Sequence, residues 1–250
     1  MSLKYRLYAF LIHLSISFIV ALCASLLVFL VWYPAPLQEA VGVTKIFLML
    51  LSVDIVIGPV ITFIIYSPGK PSLKFDLSVI ALLQVAALLY GMHTVYSGRP
   101  AFVVYAVDLF EVTRALDVDA KSMEKAIAEH NPNAELGWSP RWVGALPSKN
   151  RERRQEIMFS SVQGGADWPQ LPELYVPLSD VKEQILSKAR PLADLLILHS
   201  HNSQVDSLLK RFPNNDVKWL PLRGKVKNMT VLVDANSAEV REIVDVDPWN

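Results

Sequence analysis

Three long apolar runs fill the N-terminal part of the chain, and shorter segments of mixed polarity fill the rest. The runs cover residues 7–32, 46–66 and 77–96. About 20 apolar residues suffice to cross a bilayer as a helix, so the pattern predicts three membrane spans. The first run holds no Asp, Glu, Lys or Arg. It is also longer than the apolar core of a secretory signal, about 7–15 residues, so it is read as an uncleaved span. Trp32 and Tyr33 close it, as aromatic rings with a polar edge favour the membrane interface. Between the second and third runs, Ser67-Pro68-Gly69-Lys70 has the chemistry of a type II turn. Proline presets φ at its second position and glycine accepts a positive φ at its third. Asp76 then falls at the start of the third helix, where a negative charge meets the positive end of the dipole.

Residues 97–250 read as a mixed domain. Short apolar runs at 101–107 and 109–114 predict strands with a turn near Asp108, and 120–129 predicts a helix. Residues 132–177 are rich in proline and hold Trp138, Trp142 and Trp168. They read as a long ordered cap with one strand at 156–162, because proline interrupts regular ladders and helices. A helix is expected over 179–189, with Asp180 and Glu183 at capping-box spacing. Pro191 is placed to open a further helical turn. An amphipathic helix over 203–212 ends at Pro213-Asn214-Asn215. A strand at 217–222 and a hairpin of 229–235 with 240–247 around Asn236-Ser237 complete the chain. The expected fold is three N-terminal transmembrane helices (residues 1–96) followed by a periplasmic α+β domain (residues 97–250) with a largely antiparallel sheet.

Charge sharpens this division. Only eight of the Lys, Arg, Asp and Glu residues precede position 97. Lys4, Arg6, Lys70 and Lys74 flank one side of the spans, whereas the 34–44 loop carries only Glu39, with Lys45 at its edge. The positive-inside rule therefore puts the N-terminus and the Lys70 turn in the cytoplasm. Three spans leave the large domain on the far side, which is the periplasm in a Gram-negative cell. A net charge of zero, with no basic face rich in aromatics, argues against a nucleic-acid partner. The single cysteine, Cys23, lies in the first span, so the domain after it uses neither disulfides nor thiol chemistry.

The second span carries the main candidate site. Asp54, Gly58 and Thr62 recur every four residues and share one helix face. Pro59 cannot donate to the carbonyl of Ile55, which frees an acceptor and favours a kink. The third span offers a matching stripe of Ala81, Gln84, Ala87 and Gly91. Small residues let helices approach closely and polar ones bond across the contact. Asp54 is therefore expected to face the bundle and bond Ser25 or Gln84. An intramembrane acid is a candidate functional group by default. It can fix helix packing, bind a partner, or move protons or ions. Transport is disfavoured, because three spans with one acid offer no repeated pathway.

Elsewhere the chemistry is sparse. No phosphate-binding loop, nucleophile elbow or Cys-x-x-Cys pair occurs. His199 and His201 are the best metal candidates but lack a third ligand nearby, and no metal or cofactor is expected. Asp234, Asn236 and Glu239 resemble a calcium loop faintly and read as a turn. Asn228-Met229-Thr230 is a glycosylation sequon by pattern only. The charged run 149–154, Lys-Asn-Arg-Glu-Arg-Arg, reads as a solvated loop or as a surface for an acidic partner. The three tryptophans read as cap packing or as a platform for a sugar or a partner's head.

The segment SVDIVIGPVITFIIYSPGKPSLKFDLSVIALLQVAALLYGMHTVYSGRPAFVVYAVDLFEV, with FLVWYPAPL before it and KWLPLRGKVKNMTVLVDANSAEVREIVDVDPW near the end, resembles the TfpX/TfpZ type of type IV pilin accessory proteins, related to FimB-like proteins. The matching positions are Asp54, Gly58, Pro59, Pro68, Gly69, Lys70, Asp76, Gln84, Gly91, Arg99 and Pro100. The resemblance implies a non-enzymatic inner-membrane protein paired with a cognate type IV major pilin and working beside the pilus assembly machinery. It would support pilin stability, pilus assembly or the balance of extension and retraction. Under this reading the face of Asp54, Gly58, Pro59, Thr62, Gln84 and Gly91 meets the pilin's membrane helix, and Trp138, Trp142 and Trp168 meet its head. The competing reading is a membrane-anchored periplasmic enzyme that modifies pilin or glycan, with His199 or His201 as base. A ligand sensor would need a cytoplasmic output that the short Lys4 and Lys70 sides hardly provide.

Overall fold

The computed structural model describes residues 2–198, 203–213 and 216–249. His199, His201, Asn214 and Asn215 lie outside them. The chain separates into two compact units: Met1–Pro34 with Val43–Gly98, and Ala35–Gly42 with Arg99–Asn250.

The first unit is helical. α1 (Ser2–Leu27) runs into a π-helical turn at Val28–Trp32. A short helix, α2 (Leu37–Val41), belongs to the second unit. α3 (Val43–Ile65) and α4 (Leu73–Ser97) complete the first. All three long helices have the length and apolarity to cross a membrane. α3 and α4 begin before the apolar runs do, because their first turns admit polar residues such as Thr44, Lys45, Lys74 and Asp76. The turn between them has the predicted chemistry. Lys70 N donates to Ser67 O at 3.2 Å, and Gly69 sits at φ +82°. Asp76 accepts from Lys70 Nζ at 2.7 Å and from Ser72 Oγ at 3.1 Å. Most side chains of these helices point outward, including Met49, Leu82 and Tyr90. Such a surface suits lipid rather than water.

The second unit is built on one eight-stranded sheet. Its strands are β1 (Pro100–Ala106), β2 (Leu109–Arg114), β3 (Arg141–Ala145), β4 (Tyr175–Val176), β5 (Arg190–Pro191), β6 (Val217–Arg223), β7 (Met229–Asp234) and β8 (Val240–Val244). They lie in the order β4-β3-β1-β2-β6-β7-β8, with β5 also on β6. The sheet is mixed, which corrects the largely antiparallel expectation. β1 pairs parallel with β3, and β2 parallel with β6. Each parallel pair needs a long crossover. α5 (Ala120–Ala128) lies in the first crossover. The second carries α5 as well, with α6 (Arg151–Val162), α7 (Lys182–Lys188), α8 (Asp194–Leu198) and α9 (Ser203–Arg211). β1 is buried on both faces, as its unbroken apolar run requires.

Helices cover both faces. On one, Leu37 and Ala40 of α2 and Ile185 of α7 pack on Val103, Tyr105, Phe110, Leu220 and Val231. On the other, Ile157 of α6 meets Phe102, Val104 and Val143, while Leu195, Val205 and Leu208 enclose Trp219 and Leu232. Gly42 ends α2 at φ +78°. The loop after β6 closes on α2: Val226 N donates to Ala40 O at 2.9 Å, and Lys227 Nζ reaches Glu39 at 3.1 Å and Asp245 at 2.5 Å. A Cβ on Gly224 would stand 2.0 Å from Lys227 O and 2.7 Å from Ala40 O, so only glycine fits this loop.

Several local expectations change. Residues 156–162 are helical, the last part of α6, and not a strand. The Asn150 side chain accepts from the backbone N–H groups of Glu152 and Arg153 and so starts a helix over the charged run. The run is therefore not a loop. The 132–177 segment is not an irregular cap either; it contributes β3, α6, β4 and three 3-10 turns. The 179–189 helix is split into a 3-10 turn, Leu178–Val181, and α7, without a side-chain cap at either start. A capping box forms instead at Asp167 and Gln170. Pro191 lies in β5 rather than opening a helix.

Candidate functional site: a polar cleft among the membrane helices

α1 and α4 pack mainly on α3 rather than on each other. They meet at their C-terminal ends, where Tyr33 Oη donates to Val95 O at 2.7 Å and the Trp32 and Tyr96 rings lie 5.0 Å apart. Away from that junction they leave two recesses over α3. One, of about 150 Å³, is lined by His13, Ser17 and Ala21 of α1, Leu51 and Asp54 of α3, and Ala81, Gln84 and Val85 of α4. The other, of about 410 Å³, is lined by Tyr8, His13, Thr62, Tyr66, Leu77 and Ala81 among others.

The polar groups of the cleft come from all three helices. His13 Nδ1 and Thr62 Oγ1 lie 2.6 Å apart, a hydrogen bond joining α1 to α3. Gln84 Nε2 donates to the backbone oxygen of Asp54 at 3.1 Å. The expected bond from Asp54 to Ser25 or Gln84 therefore takes a different form. Gln84 meets the main chain of Asp54, and Ser25 Oγ turns back to Ala21 O at 2.8 Å. The carboxylate oxygen Asp54 Oδ2 is buried without a hydrogen-bond partner among the described residues. A buried acceptor of that kind is costly to leave unpaired.

Two of the expected site residues are occupied within the unit. A Cβ on Gly58 would stand 1.9 Å from Gln84 Nε2, and one on Gly91 would stand 2.4 Å from Leu50 Cδ1. Both glycines thus admit the neighbouring helix's side chain. Pro59 and Thr62 are buried as well. Asp54, Thr62 and Gln84 line the recesses. His13 was not singled out by the sequence pattern. The available signal was the spacing of His13, Ser17, Ala21 and Ser25, which puts polar and small residues on one face of α1.

The other candidates separate in space. Trp142 stands in β3, its ring 5.4 Å from Phe110, and lines a groove of about 1080 Å³ with α7 and β8. Trp168 is half-buried beside a different recess of about 230 Å³, and Trp138 is exposed. The three tryptophans do not form one platform. Asp234 Oδ1 accepts from the N–H groups of Asn236 and Ser237 at 2.9 and 2.8 Å, and its Oδ2 from Arg241 at 2.6 Å. Arg241, with those N–H groups, holds the Asp234 carboxyl well below the usual carboxylate range, so this is a closed turn. Among the described residues no cluster of three His, Cys, Asp or Glu is arranged for a metal. Thr230 of the sequon is buried in β7 and donates to Val246 O at 2.8 Å.

These features define a class: an integral membrane protein with a three-helix unit carrying a polar cleft, joined to a helix-covered α/β unit. Comparison with known proteins narrows it. The profile of the family described as fimbrial assembly protein FimB matches residues 1–42. A fimbrial assembly protein of serogroup E1 from Dichelobacter nodosus is 30% identical over 254 residues, covering 92% of this chain and 95% of the relative. The serogroup I protein of the same organism is 29% identical over 246 residues, with the same coverage. A shorter relative from serogroups C1 and C2 is 36% identical over 109 residues, 43% of this chain. No solved structure matches. The chain belongs to the FimB fimbrial assembly protein family.

Proposed function

We propose that the chain is a non-enzymatic accessory of fimbrial biogenesis that holds the membrane helix of a cognate type IV major pilin. The observation that carries this reading is the unpartnered Asp54 oxygen in the cleft between α1 and α4. A helix bringing a hydrogen-bond donor to that depth would satisfy it, and lipid tails would not. The names of the relatives, fimbrial assembly proteins, support the same process. The charge pattern of Lys4, Arg6, Lys70 and Lys74 supports an inner-membrane orientation with the N-terminus cytoplasmic and the domain from residue 97 onward periplasmic.

Deletion of the protein tests the proposal through surface piliation, measured with and without the retraction motor, together with pilin level and intact pilin mass. Pili that vanish and return when retraction is blocked mark a factor favouring assembly. Pili that vanish with falling pilin level mark a stabilising chaperone. An altered pilin mass would replace this reading with the enzyme, and unchanged piliation would end it.

A further inference from the structure

α6 combines two properties that the proposed function does not use. Arg153 on one side pairs with buried Glu173 at 2.7 Å, and Ile157 is in the core, which fixes the inward face. The outward face carries Arg151, Arg154, Met158, Phe159 and Val162, which recur at helical three- and four-residue spacing. Met158 is 54% exposed, Phe159 62% and Val162 82%. Such an apolar cluster is unusual on a face bathed by water. At the other end of the same face stand cations with no carboxylate partner among the described residues. Arg154 Nη1 donates only to the Ser148 and Lys149 carbonyls, and Lys149 and Arg151 form no ion pair. Arg153 also pairs with Glu156 at 2.8 Å, and the exposed acids Glu152 and Glu156 stand seven and three residues before Phe159, at the edge of this face.

We propose that α6 is an interfacial helix that seats Met158, Phe159 and Val162 among the acyl chains of an anionic bilayer, while Lys149, Arg151 and Arg154 contact lipid phosphates. Cations beside exposed aromatic and aliphatic side chains are the chemistry that binds a helix to an anionic lipid surface. A protein partner would need acidic groups beside an apolar seat. A bilayer supplies both everywhere, and in this chain only Gly98 and Arg99 separate the apolar helix α4 from β1.

The test uses the full-length protein, one molecule per lipid nanodisc. Cys23 is replaced by alanine, and Val162→Cys carries an environment-sensitive nitrobenzoxadiazole label. The label should be blue-shifted and quenched by spin-labelled lipid in discs containing phosphatidylglycerol, about threefold more than in phosphatidylcholine alone. K149Q/R151Q should abolish that difference. A control label at Ser187→Cys, at an exposed position of α7, should stay aqueous throughout, and unchanged tryptophan emission should report an intact fold. An aqueous Val162 label in both lipids, equal shielding in both, or shielding that appears only when pilin is added would each overturn the proposal.

Discussion

Asp54→Leu is expected to lower co-purification of the pilin about tenfold while the protein accumulates normally in the membrane. A tenfold loss corresponds to about 1.4 kcal/mol. That is near the upper end for one polar contact between membrane helices, where competition from other partners keeps most values near 0.6 kcal/mol. Asp54 sits against Gln84 only through its backbone oxygen, so loss of the carboxyl leaves the α3–α4 contact intact. Asp54→Asn should fall between the two, because it keeps one acceptor oxygen and replaces the other with an amide. Quantitative immunoblots of the co-purified pilin, normalised to protein level, read the effect. Equal capture by all three proteins would remove Asp54 from the site.

The second large effect is on stability. Glu173→Gln should destabilise the α/β unit by about 2 kcal/mol, the range of a hydrogen bond to a charged group, since Lys125 and Arg153 stay partly exposed to water when the acid is lost. The Glu173 side chain is only 2% exposed and joins Lys125 of α5 at 2.9 Å to Arg153 of α6 at 2.7 Å. For a unit of this size the corresponding fall in Tm is about 8 °C. Tryptophan fluorescence should report it, since five of the six tryptophans lie beyond residue 98. Burial opposes ionisation of Glu173, but hydrogen bonds from Lys125 and Arg153 outweigh it and hold the carboxyl below its usual range. A folded value below the unfolded value, about 4.3, gives stability that is fully present above that pH. It is lost as pH falls through the folded value. Wild type and Glu173→Gln should therefore differ most at neutral pH and converge in strong acid. A constant difference at all pH values would show that packing, not charge, is responsible.

The membrane helices were legible because apolarity is a local property and needs no knowledge of partners. The turn at Ser67–Lys70 was legible for the same reason, since Pro68 and Gly69 carry its geometry themselves. Asp54 stood out as a charge in an apolar run. Its lack of a partner did not, because that depends on where α1 and α4 diverge. His13 escaped notice because a single histidine leaves the apolar run unbroken, and only its distance to Thr62 exposes a role.

The sheet was less legible. β2 pairs in parallel with β6, and α5 to α9 lie between them in the chain. Nothing in the local alternation of β6 and β7 reports that pairing. α6 was misread at its C-terminal end because Ile157, Met158, Phe159 and Val162 have strand-like composition. The helix is specified from outside that stretch, by the Asn150 cap and by Arg153 reaching Glu173. The exposed apolar residues that confused the reading are those now assigned to a lipid surface.

The most direct test of the pilin-holding cleft is site-specific photo-cross-linking in living cells. A benzoylphenylalanine at Ser17 or Val85, both lining the cleft, should cross-link to the major pilin. The same probe at Met49 or Leu82, which are 66% and 69% exposed and lie outside the cleft lining, should not. Cross-links confined to the cleft, and reduced by Asp54→Leu, are the result predicted. Equal cross-linking from all four positions, or none from Ser17 and Val85, would contradict the account.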